Sequence, residues 1–141
     1  MTNSPFRYRP QLSEAAASLT HDVEVVDERG RRSVIAIPAE RPLTVYVDKR
    51  ELVTLMTLGG APEALTLGYL RNQRLVKAID DIVSVQVDWS VDAVAVVTRN
   101  GIADVEERTS KKVVTTGCGQ GLVFGGLMGD IEQSALPPDA R

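Results

Sequence analysis

The residue in this sequence best suited to chemistry is its single cysteine. Cys118 lies in the stretch VVTTGCGQG at residues 113–121, between Gly117 and Gly119 and shortly before Gly121. A thiol reacts as its thiolate and needs access. Glycine neighbours allow a sharp bend and leave backbone N–H groups free to face a thiolate, persulfide or phosphate. The loop is therefore a candidate for an exposed, reactive sulfur, and the alternative is a small buried cysteine.

The residues around this loop narrow the kinds of site it can form. Lys111 and Lys112 precede it, but six residues of extended strand span roughly 20 Å, so they lower the thiol pKa only if the loop folds back. We interpret them as a solvated strand start or a docking patch. The only histidine, His21, cannot complete a zinc site with one cysteine. No Gly-Lys-Ser/Thr follows the glycines, which excludes a P-loop.

Three further features have ordinary structural interpretations. Asp80-Asp81 indicates a helix-to-strand turn, not an acid–base pair. Trp89 is either a core residue or a contact residue, and the sequence does not separate the two. The sequence also contains a group of basic residues of the kind that lies on the solvent-exposed side of a hairpin. These residues are Arg29, Arg31 and Arg32.

Composition restricts the function classes. The chain has 141 residues, enough for one domain, with 43% apolar and 25% charged residues, as in soluble globular proteins. A net charge of −3 predicts no attraction to nucleic acid or to an anionic membrane. We find no transmembrane-length apolar run and no signal-peptide core, and a lone cysteine fits a reducing compartment. We therefore expect a cytoplasmic protein.

Hydrophobic patterns predict an α+β fold, a small mixed or antiparallel sheet with one main helix, followed by the Gly-rich cysteine loop. The helix runs from Pro62 to about Leu75, with a second short helix at Leu12–Leu19. Asn100-Gly101 is the strongest hairpin signal. The expected strands are Asp22–Val26, Ser33–Ile37, Leu43–Val47, Glu51–Leu58, Val83–Val87, Val91–Val97, Ile102–Glu106 and Lys112–Thr116.

The pattern also predicts a division of the chain. Residues 1–20 form a flexible tail, 21–116 the α+β domain, and 117–141 the cysteine loop and a linker toward a missing second domain. The apolar side chains of Leu122–Met128 follow the loop among further glycines. Because they need a partner surface, we expect a homodimer or a larger species.

The order of several motifs resembles the N-terminal half of the formate dehydrogenase accessory sulfurtransferase family, FdhD. The resemblance spans about 21–130 and ends in the cysteine loop. The segments that carry it are Glu40–Val47, Leu55–Leu58, Pro62–Leu70, Ile79–Val87 and Thr116–Gly119.

This resemblance implies a sulfur carrier. Cys118 would take persulfide sulfur from a cysteine desulfurase and deliver it to the molybdenum cofactor of formate dehydrogenase. The acceptor would be molybdenum bis-molybdopterin guanine dinucleotide, bound weakly here because the family's C-terminal deaminase-like α/β domain is absent. Gly117, Gly119 and Gly121 would form the loop that faces the cofactor, and no cofactor would be bound tightly.

The chain departs from the family pattern at the loop, which usually reads Cys-x-x-Cys. Either Cys118 is the first cysteine and Gly121 replaces the second, or Cys118 is the second and Thr115 replaces the first. A single thiol cannot release sulfur by closing an internal disulfide. The alternative function is a non-catalytic docking module, or a fragment, that binds formate dehydrogenase or a separate second half.

Overall fold

The computed structural model describes residues 8–102 and the backbone of two short strands at 112–114 and 122–124. Its strands form a five-stranded mixed sheet and two separate two-stranded ribbons. Together with the single α-helix among these residues, the sheet confirms the predicted α+β class. In chain order the elements are β1 (Gln11–Leu12), β2 (Thr20–Val26), β3 (Arg32–Pro38), β4 (Arg41–Val47), β5 (Arg50–Thr57), α1 (Pro62–Asn72), β6 (Ile82–Asp88), β7 (Ala93–Thr98), β8 (Lys112–Val114) and β9 (Leu122–Phe124).

The main sheet has the strand order β1-β6-β7-β4-β5. The pairs β4–β5 and β6–β7 are antiparallel, whereas β4 lies parallel to β7 and β1 parallel to β6. Helix α1 and a short 3-10 turn at Ile79–Asp81 connect β5 to β6. The predicted central position of the strand near residues 91–97 is therefore confirmed, since β7 has a neighbour on each side.

The core lies on one face of this sheet. Leu70 of α1 is fully buried in the same cluster as the inward-facing strand residues. The opposite face is open, because Val97 is 45% exposed. The strand predicted from Val91 begins at Ala93, after a turn. Alternating buried residues of β4 and β7 are Leu43, Val45, Val47, Val94 and Val96.

Helix α1 begins at Pro62, the first helical position, where the missing N–H of proline has no cost. It ends at Asn72, three residues before the predicted end at Leu75. Arg74 adopts a left-handed conformation, φ 55°, and the Leu75 N–H donates to the Leu70 carbonyl at 2.9 Å. This is a Schellman cap, which directs the Leu75 side chain into the core. Within the described residues no helix is long and apolar enough to span a membrane.

The β2–β3 hairpin confirms the predicted pairing and turn. The Asp27 carboxylate accepts from the backbone N–H groups of Arg29 and Arg31, each at 2.9 Å, and from Nε of Arg31 at 2.7 Å. The backbone and side-chain hydrogen bonds from Arg31 hold the pKa of Asp27 below its usual range. Gly30 follows with φ 75°, a conformation that side chains disfavour.

A two-residue turn joins β4 to β5. Asp48 and Lys49 both have positive φ, 47° and 68°, which is typical of the type I′ turns that fit twisted hairpins. The Asp48 carboxylate accepts from the Thr98 backbone N–H at 2.9 Å and from its hydroxyl at 2.5 Å. The turn is therefore fixed by the end of β7.

Most of the second strand of the hairpin predicted at Asn100-Gly101 lies outside the described residues. Gly101 has φ 73°, and the chain bends there. Ile102 is not in a strand, and the rest of the expected strand, up to Glu106, lies outside the described residues.

The segment from Tyr8 to Leu19, here called the N-terminal strap, is extended. The helix predicted at Leu12–Leu19 is wrong, because this backbone hydrogen bonds to the domain and not to itself. Its Ala17 N–H donates to the Gly59 carbonyl at 2.8 Å, and the Arg41 guanidinium donates to the carbonyl of Ser18 at 2.8 Å.

Glu63 in the first turn of α1 holds the middle of the strap. Its carboxylate accepts from the Ser13 hydroxyl at 2.7 Å and from the Ala15 N–H at 2.8 Å, and the residue is only 8% exposed. The Trp89 indole donates to the Ala15 carbonyl at 2.5 Å. Burial acts to raise the pKa of Glu63, but these hydrogen bonds outweigh it and the pKa is lowered.

Substitution of two glycines by alanine should change stability with opposite signs. A β-carbon at Gly30 or Gly68 would have no atom within 4 Å, so only the backbone differs. We expect Gly30→Ala to lower the free energy of unfolding by about 1 kcal/mol, because φ is positive there. Gly68→Ala, inside α1, should raise it by about 0.5–1 kcal/mol. Urea unfolding followed by circular dichroism tests this, and changes of equal sign would contradict it.

Loss of the Glu63 charge should weaken the strap. Since the folded-state pKa of Glu63 lies below its ordinary value of 4.5, the charge stabilises the fold above that pH, and the contribution disappears as pH falls through the lowered pKa. We expect Glu63→Gln to cost about 2 kcal/mol at neutral pH and to flatten the acid limb of the stability profile. Urea unfolding monitored by Trp89 fluorescence measures both, with exposed Glu14→Gln as the control. Equal effects of the two variants would refute the role of Glu63.

Candidate functional site

The residues on either side of the cysteine loop form a two-stranded ribbon. Strands β8 and β9 are antiparallel, and Val114 lies opposite Leu122 at the open end of the connection. Residues 115–121 join these strands, so Cys118 is the middle residue of a seven-residue connection. The strand predicted from Lys112 is confirmed over its first three residues.

The loop residues themselves lie outside the described residues. This applies to Cys118 and to the three glycines proposed for cofactor binding, Gly117, Gly119 and Gly121. Their site assignment therefore stays a prediction.

The ribbon bounds where the thiol can lie. Paired strands lie about 5 Å apart, so both ends of the connection are close together. Four residues extend at most about 14 Å, so Cys118 lies within this distance of Val114 and of Leu122.

Sequence reasoning missed strand β9. Leu122–Phe124 belongs to the stretch interpreted above as an apolar tail, yet it pairs with β8. The signal was present, because Leu-Val-Phe has high β-propensity and lies at the same distance from Cys118 as the preceding strand. The remainder of that tail, from Gly125, lies outside the described residues.

The other candidate residues have structural roles. Trp89 packs against the core, donates its N–H to the strap, and carries the Arg41 guanidinium 5.4 Å from its ring centroid. His21 is exposed on β2, opposite Ile37. Asp81 accepts a hydrogen bond from the Ala78 N–H in the 3-10 turn, which fits the predicted turn.

The arginines of the hairpin are exposed, as predicted. Arg31 pairs with Asp27 and Arg32 with Glu24 across the β2–β3 ribbon. Among the described residues no cluster of three or more His, Cys, Asp or Glu side chains could hold a metal ion.

Four of the five motif segments that carry the resemblance meet in one core. Leu43 of β4, Leu55 of β5, Leu70 of α1 and Ile82 of β6 are all buried there. Tyr69 packs against the same cluster, and burial raises the pKa of its hydroxyl to about 12, so it stays protonated near neutral pH. These segments therefore build the scaffold, while the only thiol lies on the separate ribbon sequence that follows.

Comparison with known proteins adds three findings. The sequence model of the FdhD/NarQ family matches residues 38–141. The sulfur carrier protein FdhD of Wolinella succinogenes is 25% identical over 112 residues, covering 76% of this chain and 39% of the relative. A crystal structure of a proposed formate dehydrogenase accessory protein from Desulfotalea psychrophila aligns with TM-score 0.48 and 16% identity, over 71% of this chain and 44% of that one.

The family match begins at Pro38, next to β4, and continues through the ribbon and the cysteine loop. The strap and most of the β2–β3 hairpin precede it. The chain spans about two-fifths of the length of the curated relative it matches. Since the match covers well over half of the sequence, the chain belongs to the FdhD/NarQ family.

Proposed function

We propose that this protein is a sulfur carrier for formate dehydrogenase and that Cys118 holds the sulfur as a persulfide. The family match, which includes the cysteine loop, is the observation that supports this most directly. A relative named as a sulfur carrier protein supports it further. Cys118 is the only cysteine in the sequence, so a cysteine persulfide can form nowhere else on this chain.

Loading is a sulfur exchange without net oxidation. The Cys118 thiolate attacks the outer sulfur of a persulfide on a cysteine desulfurase. The donor's S–S bond breaks, the donor leaves as a thiolate, and Cys118 carries the new S–S bond. Access and a high thiolate fraction speed this step, and the flanking glycines favour access.

Delivery needs electrons that a single thiol cannot supply. Persulfide sulfur becomes sulfide only by gaining two electrons. A second cysteine would provide them by closing a disulfide, and this sequence has none. An external thiol must therefore attack Cys118 and release the sulfur, or the acceptor must take the sulfur directly. The acceptor in this proposal is the molybdenum bis-molybdopterin guanine dinucleotide of formate dehydrogenase, treated as a substrate.

The glycines would assist the acceptor step. Backbone N–H groups at Gly117, Gly119 and Gly121 can face a persulfide anion or a cofactor phosphate, because no side chain blocks the approach.

The partners follow from this chemistry. A cysteine desulfurase supplies the sulfur and formate dehydrogenase receives it, in the cytoplasm. The division proposed for the chain keeps the domain at 21–116 and the loop with linker at 117–141, whereas the part of the proposed tail from Tyr8 onward is hydrogen bonded to the domain. A docking module without sulfur transfer is the competing function, and it would tolerate the loss of Cys118.

Sulfur loading can be tested by intact mass. After incubation with a cysteine desulfurase and free cysteine, we expect the chain to gain one sulfur atom that a reducing agent removes. Cys118→Ser should abolish the gain, while Ser90→Ala, a small change at an exposed residue of the domain, should keep it. If Cys118→Ser also gains sulfur, or supports formate dehydrogenase maturation as well as the original chain does, the carrier role is wrong.

Restoring a second thiol should change how sulfur leaves. In Gly121→Cys or Thr115→Cys, the new thiolate can attack the Cys118 sulfur, expel hydrosulfide and close a disulfide, which balances the two electrons. We expect sulfide release without added thiol to accelerate at least ~10-fold, because the attack is intramolecular. Methylene blue detection of sulfide measures this, and comparison of the two variants tests whether a cysteine at Thr115 or one at Gly121 cooperates better with Cys118. Equal release from all three proteins would contradict the mechanism.

A further inference from the structure

The N-terminal strap occupies a groove that the domain presents beside β6. Along the strap the partly buried residues Ser13, Ala15 and Ala17 alternate with exposed ones, as expected for an extended segment that lies on a surface. Because the strap buries little apolar surface, hydrogen bonds hold it, and we expect it to leave the domain far more often than the domain unfolds. The larger apolar residues of the strap are all exposed: Tyr8, Leu12 and Leu19.

The domain contacts the middle of the strap mainly through the strap backbone, which any sequence provides. The Glu63 carboxylate accepts from the Ala15 N–H at 2.8 Å, and the Trp89 indole donates to the Ala15 carbonyl. The Gly59 carbonyl accepts from the Ala17 N–H at 2.8 Å. These groups can hold another extended segment in the same way.

One side chain in the middle of the strap is recognised specifically, the hydroxyl of Ser13. It accepts from the Val87 N–H of β6 at 2.9 Å and donates to the Glu63 carboxylate at 2.7 Å. Among small side chains only a hydroxyl does both well, so the groove requires serine or threonine at this position. Further along, a β-carbon built on Gly59 would lie 3.2 Å from that of Ala17, so the space there admits a small side chain.

The groove and its occupant lie in different parts of the chain. Each domain residue named above as holding the strap lies within the family match at residues 38–141, whereas the strap precedes that match. The strap is therefore a separate segment that fills a groove of the family scaffold. Glu63 also restricts what can enter, because its buried carboxylate accepts from N–H and O–H donors and repels phosphate. An extended peptide fits these contacts, and a nucleic acid does not.

We propose that this groove is a peptide-binding site and that the strap is its exchangeable occupant. The ligand is an extended segment of a different protein that pairs with β6 in the parallel direction, as β1 does. It carries serine or threonine at the position of Ser13 and a small residue at the position of Ala17. While the strap is bound the site is closed, because the tethered strap competes at a high effective concentration. Neither strap nor groove includes Cys118, so the site is independent of sulfur transfer.

A single substitution in the strap should open the groove without altering it. Ser13→Glu places a second carboxylate against that of Glu63, whereas Ala16→Glu adds the same charge at an exposed strap position. Trp89 is the only tryptophan of the chain, so its fluorescence reports on the groove. We expect its emission to shift to the red in Ser13→Glu and to stay unchanged in Ala16→Glu, with circular dichroism as the check on folding. Equal emission of the two variants would contradict the contact between Ser13 and Glu63.

A synthetic peptide can then supply the strap in trans. The probe has the sequence of residues 8–19, which lacks tryptophan and retains Tyr8, whose hydroxyl donates to the Ile82 carbonyl at 2.8 Å. Added to the Ser13→Glu chain, it should reverse the red shift and saturate. Anisotropy of a fluorescein-labelled copy should show at least ~10-fold weaker binding to the original chain, because the original strap competes. If the peptide does not bind to the folded Ser13→Glu chain, the proposed site is wrong.

Variants of the peptide test what the groove recognises. Ser13→Thr in the peptide should bind within about threefold of the original sequence, because the hydroxyl is kept. Ser13→Ala should bind at least ~10-fold more weakly, since it leaves the Glu63 carboxylate and the Val87 N–H without this partner. Ala17→Leu should weaken binding similarly, because its side chain would meet the Gly59 backbone. Equal affinities of all four peptides would overturn the proposed recognition.

Hydrogen exchange in the original chain gives a measurement that needs no substitution. The amides of Ala15 and Ala17, which donate to the domain, should exchange at least ~100-fold faster than the most protected amides of β4 and β7. Equal protection of the two sets would mean that the strap leaves only when the whole domain unfolds. That result would overturn its role as an exchangeable occupant.

Discussion

The alternation of backbone hydrogen bonds along β4 is the constraint on which most of this structure depends. The N–H groups of Thr44 and Asp48 bond toward the β7 side. Because backbone groups alternate along a strand, Leu43, Val45 and Val47 direct theirs toward β5. The same alternation turns Leu43 and Val45 into the core and leaves Thr44 on the open face. One strand thereby fixes its two neighbours and the buried face of the sheet.

The N-terminal strap covers the β6 edge of the main sheet. A two-residue strand covers β6, and the rest of the segment bonds to loops and side chains around the domain. Glu63 stabilises the strap because its buried carboxylate accepts hydrogen bonds from two strap donors, the Ser13 hydroxyl and the Ala15 N–H. An extended segment of this kind gains little from its own propensity, so its position depends on hydrogen bonds that the domain supplies. The strap precedes the family match, whereas Glu63 lies inside it.

The scaffold and the proposed chemistry occupy different parts of the chain. Motif residues such as Leu43 and Leu70 pack the core, and none of them is a reactive group. The only thiol lies in the seven-residue sequence that joins the two strands of a short ribbon. The proposed carrier role therefore rests on a residue that is not among the core motifs. With one cysteine, the proposed release of sulfur needs a reducing thiol from another molecule.

The sequence alone determined helix α1, most of the strands and the family, because β-branched alternation, Pro62 and the order of motifs are local signals. It also identified Cys118 as the only thiol. Tertiary structure decided what local signals cannot encode. Extended backbone replaced the alanine-rich helix, since the domain supplied its hydrogen bonds. Strand order and the open face arise from contacts between residues far apart in sequence, so no local pattern could predict them.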